Sequence, residues 1–194
     1  MLRLKLTTEA SWVRNVVEKN ISEILTDHAW CEQKAASNAI SIVVRYPEYP
    51  DLVDEMIRLS QEELSHFQMV HDFIRKRGFT LGRERKDHYV NLLYAFMRKG
   101  VTPLENLVDR LLFAAMVEAR SCERFKVLSE NIDDQELAAF YHELMISEAN
   151  HYTLFIGYAR KYAHGLDVDQ RWQEWLDYEG EIIQGFGKSE TVHG

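Results

Sequence analysis

From residue 21 to about 45 a stripe recurs at helical spacing through Ile21, Ile24, Leu25, His28, Cys31, Ala35, Ala39, Ile42 and Val43, the mark of a helix with one buried face. A shorter helical piece, "EASWVRNVVEKN", precedes it. "YPEYPD" then breaks the pattern, because neither Pro47 nor Pro50 can continue a helix, and Asp51 is placed to cap the next one. That helix is expected over about 51–77, through Leu52, Met56, Leu59, Glu63, His66, Val70 and Ile74, with Gly78 ending it. A shorter helix is expected near 88–98. "TPLE" at 102–105 reads as a start with Thr102 as cap, Pro103 in the first turn and Glu105 reaching back. This helix should run to about 129. "DDQE" at 133–136 offers another capping box and opens a helix to about 163, closed near Gly165. A last amphipathic piece carries Trp172 and Trp175, and the residues from Gly185 are expected to fray. No stretch alternates with a strand's period. Four long helices in two hairpins, with shorter ones beside them, predict an all-α bundle.

Composition narrows the class. The 194 residues fit one helical domain, 1–194, with its core at about 21–163 and a C-terminal helix at about 168–183. No apolar run approaches the ~18–20 residues of a membrane span. "MLRLKLTTEASW" has neither the long apolar stretch nor the cleavage site of a secretory signal. A cytoplasmic protein without membrane attachment is expected. Cys31 and Cys122 are too few for a disulfide framework and are not spaced for zinc. Both read as small core residues, and Trp12, Trp30, Trp172 and Trp175 read as packing. The net charge of −8 is uneven: residues 75–99 carry +6 and the remainder −14. Arg75, Lys76, Arg77, Arg83, Arg85 and Lys86 form the densest part, which suits an anionic partner.

Two helices carry a glutamate followed three residues later by a histidine, in "EELSHF" (Glu63, His66) and "SEANHY" (Glu148, His151). The motif alone is weak, and the tail holds a third copy, Glu190/His193. The setting of the first two is what matters. Residues i and i+3 share a helix face, so each pair can offer a carboxylate and an imidazole to one ion. Glu32 lies 31 residues before Glu63, and Glu118 lies 30 before Glu148. At ~1.5 Å rise per residue these spacings bring each pair of carboxylates to a similar height on antiparallel neighbours. Glu123 would end more than a turn too low, and Glu23 errs the other way. Four carboxylates in one core would repel unless cations hold them, and two divalent ions offset four negative charges. Mixed carboxylate and imidazole donors suit iron or manganese. The expected ligand set is Glu32, Glu63, His66, Glu118, Glu148 and His151.

This pattern resembles the ferritin-like di-iron carboxylate superfamily. "DHAWCEQKAASNA", "EELSHF", "EARSCERF" and "SEANHY" further resemble the tRNA 2-methylthio-isopentenyl-adenosine hydroxylases, over about residues 8 to 180. The resemblance implies a ferritin-like four-helix bundle with additional short helices. It implies two iron ions, dioxygen as co-substrate, and hydroxylation of the isopentenyl group of a modified adenosine beside the anticodon. Glu63 and Glu148 would bridge the irons, with Glu32 and Glu118 binding one each. No flavin or nicotinamide motif is present, so an external electron donor, such as a ferredoxin with its reductase, is implied. The basic 75–99 stretch would then meet tRNA phosphates, and Phe79, Tyr89, Tyr94 and Phe96 could stack a base, although packing is the first role for most of them. A monomer or small homo-oligomer is expected. Other readings are a related hydroxylase of a small lipid-like substrate, an iron-storage or peroxide-scavenging protein, and a metal-free helical interaction module.

Overall fold

In the computed structural model, residues 2–185 are described, and the expected frayed tail with its Glu190/His193 pair lies almost wholly outside them. The described residues divide into two compact units, one of residues 19–86 and one of residues 2–18 and 87–185.

The first unit is a helical hairpin of α1 (Ile21–Arg45) and α2 (Pro50–Lys76). Ile24, Leu25, Ala29, Ala36, Ala39 and Ile42 of α1 are buried, as are Leu52, Met56, Leu59, Val70 and Ile74 of α2. The expected cap at Asp51 is corrected: Tyr49 holds the cap position and the helix opens on Pro50. Proline fits there because the first amide of a helix has no partner to lose, and Asp51 instead lends negative charge to the first turn. The chain turns away just past α2 at Gly78, whose φ of 70° favours glycine. The following basic loop lies along α1. Trp30 Nε1 donates to the Gly82 carbonyl at 2.9 Å, and the Gly82 amide donates to Thr26 Oγ1 at 3.3 Å. A Cβ at Gly82 would meet Thr26 Cγ2 at 3.0 Å, so a larger residue would have to push the Thr26 methyl aside.

The second unit begins with a short π-helical stretch, Val13–Val17, where a longer helical piece was expected. It continues with α3 (His88–Ala95), α4 (Pro103–Asn131), α5 (Gln135–Lys161) and α6 (Val168–Ile183). Thr102 and Glu105 form the expected capping box. The cap of α5 falls one residue later than expected: Asp134 accepts from the Glu136 and Leu137 amides, both at 3.0 Å, while the Asp133 amide donates to Glu18 at 2.9 Å. α3 stops short of residue 98, which frees Arg98 to turn inward. Its backbone amide and guanidinium both donate to Asp109, as does Arg171 of α6, tying α3, α4 and α6 to one buried carboxylate. Burial pushes the Asp109 carboxyl up, but these two arginines outweigh it and hold it below its ordinary value. A second buried network joins Tyr89, Arg120, Glu123 and Glu179. Trp12, Trp172, Trp175 and both cysteines are buried, and Trp30 is half-buried. No strand occurs among the described residues.

Candidate metal centre

In the α1/α2 unit, one turn of each helix supplies the polar core. Glu32, Glu63 and His66 are buried, Glu63 at 1% exposure, and each offers a ligand atom within 4.8 Å of the others. His66 Nδ1 lies 3.4 Å from Glu63 Oε2 and 3.5 Å from Glu32 Oε2. Burial pushes the Glu32 carboxyl up, yet hydrogen bonds from His28 and His66 outweigh it and hold the group well below the usual carboxylate range. For His66 burial pulls the other way, and the Glu32 and Glu63 carboxylates raise it to about 10.

The α4/α5 unit carries a matching set. Glu118, Glu148 and His151 are buried and likewise present ligand atoms within 4.8 Å of one another. His151 Nδ1 lies 3.9 Å from Glu148 Oε1, and its Nε2 lies 3.4 Å from Ser147 Oγ. The Glu-x-x-His spacing puts carboxylate and imidazole on one face of α5, as it does on α2.

Each unit thus buries two carboxylates beside the imidazole of its Glu-x-x-His pair. Two like charges at this separation in a poorly solvated core are unfavourable, and one divalent cation per unit would neutralise them. Oxygen and nitrogen donors without a thiolate fit iron or manganese better than a structural zinc or copper site. The donor set fits the group expected from the sequence. The two rival glutamates are engaged elsewhere: Glu123 accepts from Thr8 and Arg120, and Glu23 pairs with Arg85.

Sequence reasoning missed His28. Its ring is wholly buried, with Nε2 2.7 Å from Glu32 Oε1. The signal was present as His and Glu at i, i+4 on α1.

The six basic residues divide by environment. Arg75, Lys76, Arg83 and Lys86 are exposed, whereas Arg77 and Arg85 are half-buried. Arg77 lies over the Phe73 ring at 5.1 Å. Arg85 reaches Glu23 at 3.4 Å and Asp27 at 3.9 Å and so fastens the loop to α1. Of the four aromatics, Tyr89 is core and Phe96 stacks on Tyr178 at 4.2 Å, while Phe79 and Tyr94 are exposed.

The chain is similar to known proteins along its length. The family model described as tRNA-(MS[2]IO[6]A)-hydroxylase (MiaE) matches residues 2–194. The tRNA 2-(methylsulfanyl)-N(6)-isopentenyladenosine(37) hydroxylase of Pseudomonas putida is 36% identical over 177 residues, covering 91% of this chain and 84% of its own length. The protein of the same name from Salmonella typhimurium is 27% identical over 228 residues, with 93% and 83% covered. A solved structure, protein 43 with aldehyde deformylating oxygenase activity from Synechococcus, matches 98% of this chain and 95% of its own, with a TM-score of 0.90 and 31% identity. The fold is all-α and ferritin-like, as the sequence led us to expect. By the match along its whole length, this chain belongs to the MiaE family of tRNA hydroxylases.

Proposed function

We propose that this chain hydroxylates the isopentenyl group of 2-methylthio-isopentenyl adenosine in tRNA, with two iron ions and dioxygen. The observation that carries this reading is a family match over residues 2–194 in a chain whose two units each bury a Glu-Glu-His set. Glu32, Glu63, His66, Glu118, Glu148 and His151 would hold the ions, with Glu63 and Glu148 as the bridging ligands and Glu32 and Glu118 as ligands to one ion each. The bound irons supply dioxygen activation and oxygen insertion at an unactivated methyl C–H bond. One oxygen atom enters the substrate and the other leaves as water, so two electrons and two protons come from outside. An external donor such as a ferredoxin with its reductase provides the electrons. The chain's own part is to hold the ligands in fixed rotamers and to keep water out. Leu59 and Val70, on the stripe that bears Glu63 and His66, are both buried and apolar. A cytoplasmic location, where tRNA is found, and a monomer or small homo-oligomer complete the reading. Among the described residues no helix is long and apolar enough to cross a membrane.

The test joins iron content per chain to mass analysis of nucleosides from tRNA treated with reduced protein and oxygen. Two irons and a gain of one oxygen on the isopentenyl adenosine are expected. Unaltered tRNA from a two-iron protein would overturn the substrate.

For tRNA, we assign Arg75, Lys76, Arg83 and Lys86 to phosphate contact, with Arg77 and Arg85 supporting that surface. Changing Arg75, Arg83 and Lys86 together to glutamate is expected to weaken tRNA binding at least about tenfold and to flatten its salt dependence. Iron content should not change. Unaltered affinity in a filter-binding assay at two salt concentrations would remove this segment from the RNA surface.

A further inference from the structure

The two glutamates assigned one ion each do not stand in equivalent surroundings. On α1, His28 lies one turn before Glu32, is wholly buried, and has Nε2 2.7 Å from Glu32 Oε1. The other oxygen, Oε2, faces His66 Nδ1 at 3.5 Å. The carboxylate therefore has one oxygen committed to His28 and one turned toward the ligand set. On α4, the residue one turn before Glu118 is Ala114, also buried, and its methyl group can make no hydrogen bond. Neither His28 nor this difference is needed to build the α1 helix. Alanine would serve the helix better, and a buried imidazole is costly unless its ring nitrogens are bonded.

We infer that His28 is a positioning residue that fixes Glu32 as a one-oxygen ligand and makes the two metal positions unequal, the one in the α1/α2 unit being the tighter. The inference rests on the di-iron reading above. Donating its Nε2–H to Oε1, His28 holds the Glu32 rotamer before metal arrives, so little side-chain freedom is lost on binding. It also keeps Oε1 from swinging round toward the ligand set. Outer hydrogen bonds of this kind typically change metal affinity about 10–100-fold. Glu118 lacks such a clamp at the same register and is freer to shift between one- and two-oxygen binding. The two ions would then fill in order and differ in coordination.

The experiment is an anaerobic titration of metal-free protein with ferrous iron, followed by equilibrium dialysis and Mössbauer spectroscopy of the loaded protein. Wild type is expected to bind in two unequal steps and to show two ferrous environments. His28→Leu should weaken the tighter step by about 10–100-fold and leave the other step within about threefold, altering one environment only. His28→Gln, whose amide can reach Oε1 from the same turn, should restore most of the loss. If His28→Leu fails to fold, His28→Asn carries the same expectation, because its shorter amide falls short of Glu32. Circular dichroism of the metal-free variants separates folded from unfolded protein. Unchanged binding in His28→Leu or His28→Asn, equal weakening of both steps, or no rescue by His28→Gln would overturn the role given to His28. Wild-type protein that binds no iron would instead overturn the di-iron reading itself, and this inference with it.

Discussion

Changing Glu63 to alanine is expected to remove most of the bound iron and to lower hydroxylation at least about a thousandfold. Removing a single well-placed electrostatic donor from an active site typically costs about 10²–10³ in rate, and here the whole catalytic group would go with the side chain. Glu63 is 1% exposed and sits 3.4 Å from His66, whereas Glu62, the neighbouring carboxylate 4.0 Å from the same ring, is exposed. The variant should still fold, because deleting one of two repelling buried carboxylates relieves metal-free protein of part of its charge strain. Glu130→Ala, at an exposed site paired only with Lys126, is the control and should keep both iron and activity. Iron per chain and nucleoside mass analysis read the two variants side by side. Two irons retained in Glu63→Ala would show that the ligand set is wrong, whereas iron lost from Glu130→Ala would point to general damage in purification.

What could be read from the sequence follows the range of the interactions involved. The long helices were legible because their burial is periodic: Leu59, Glu63, His66, Val70 and Ile74 mark one face of α2 whatever packs on it. The Glu-x-x-His pairs were legible for the same reason, since i and i+3 meet within one helix. Helix starts were less so. Pro50 outcompeted Asp51 for the opening of α2, and Asp134 outcompeted Asp133 at α5, because neighbouring residues had nearly equal claims. His28 belongs to the buried stripe of α1 by periodicity, and its hydrogen bond to Glu32 is legible only in the i, i+4 spacing of the two residues. Arg85 looked like one more surface cation. Its anchoring to Glu23 and Asp27 spans some 60 residues of chain, and no local pattern encodes that. The same holds for Arg171, which reaches back across 62 residues to the Asp109 carboxylate that Arg98 also holds. Charge counting found the basic segment, but only tertiary structure separates its solvated members from those that hold the loop in place.

The largest stability effect is expected at Arg120, and it too arises from distant pairing. This guanidinium is fully buried and holds Glu179 through Nε and Nη2 at 2.9 and 2.5 Å, Glu123 through Nη1 at 2.9 Å, and the Leu6 carbonyl at 3.1 Å. Tyr89 donates to the same Glu179 oxygen, and Thr8 donates twice to Glu123. One arginine thus joins α4, α6 and the N-terminal segment. Arg120→Met would preserve most of the volume but leave two buried carboxylates without their cation. Breaking a buried pair in this way costs about 3–5 kcal/mol, or roughly 6–20 °C in Tm for a chain of this size. Arg120→Lys should recover little, since one ammonium cannot reach acceptors spread around a planar fork. Arg120→Met combined with Glu179→Leu should recover a substantial part, because it removes one of the two stranded charges along with the cation and leaves Glu123 its two bonds from Thr8. Tyr89 then loses its acceptor, which limits the recovery. Chemical denaturation of wild type, both single variants and the double gives the coupling between the two positions. A coupling near zero would mean that Arg120 stabilises through packing alone. A large one would show that the buried charges were folded in as a unit, with Glu179 tolerable in the core only because Arg120 is there.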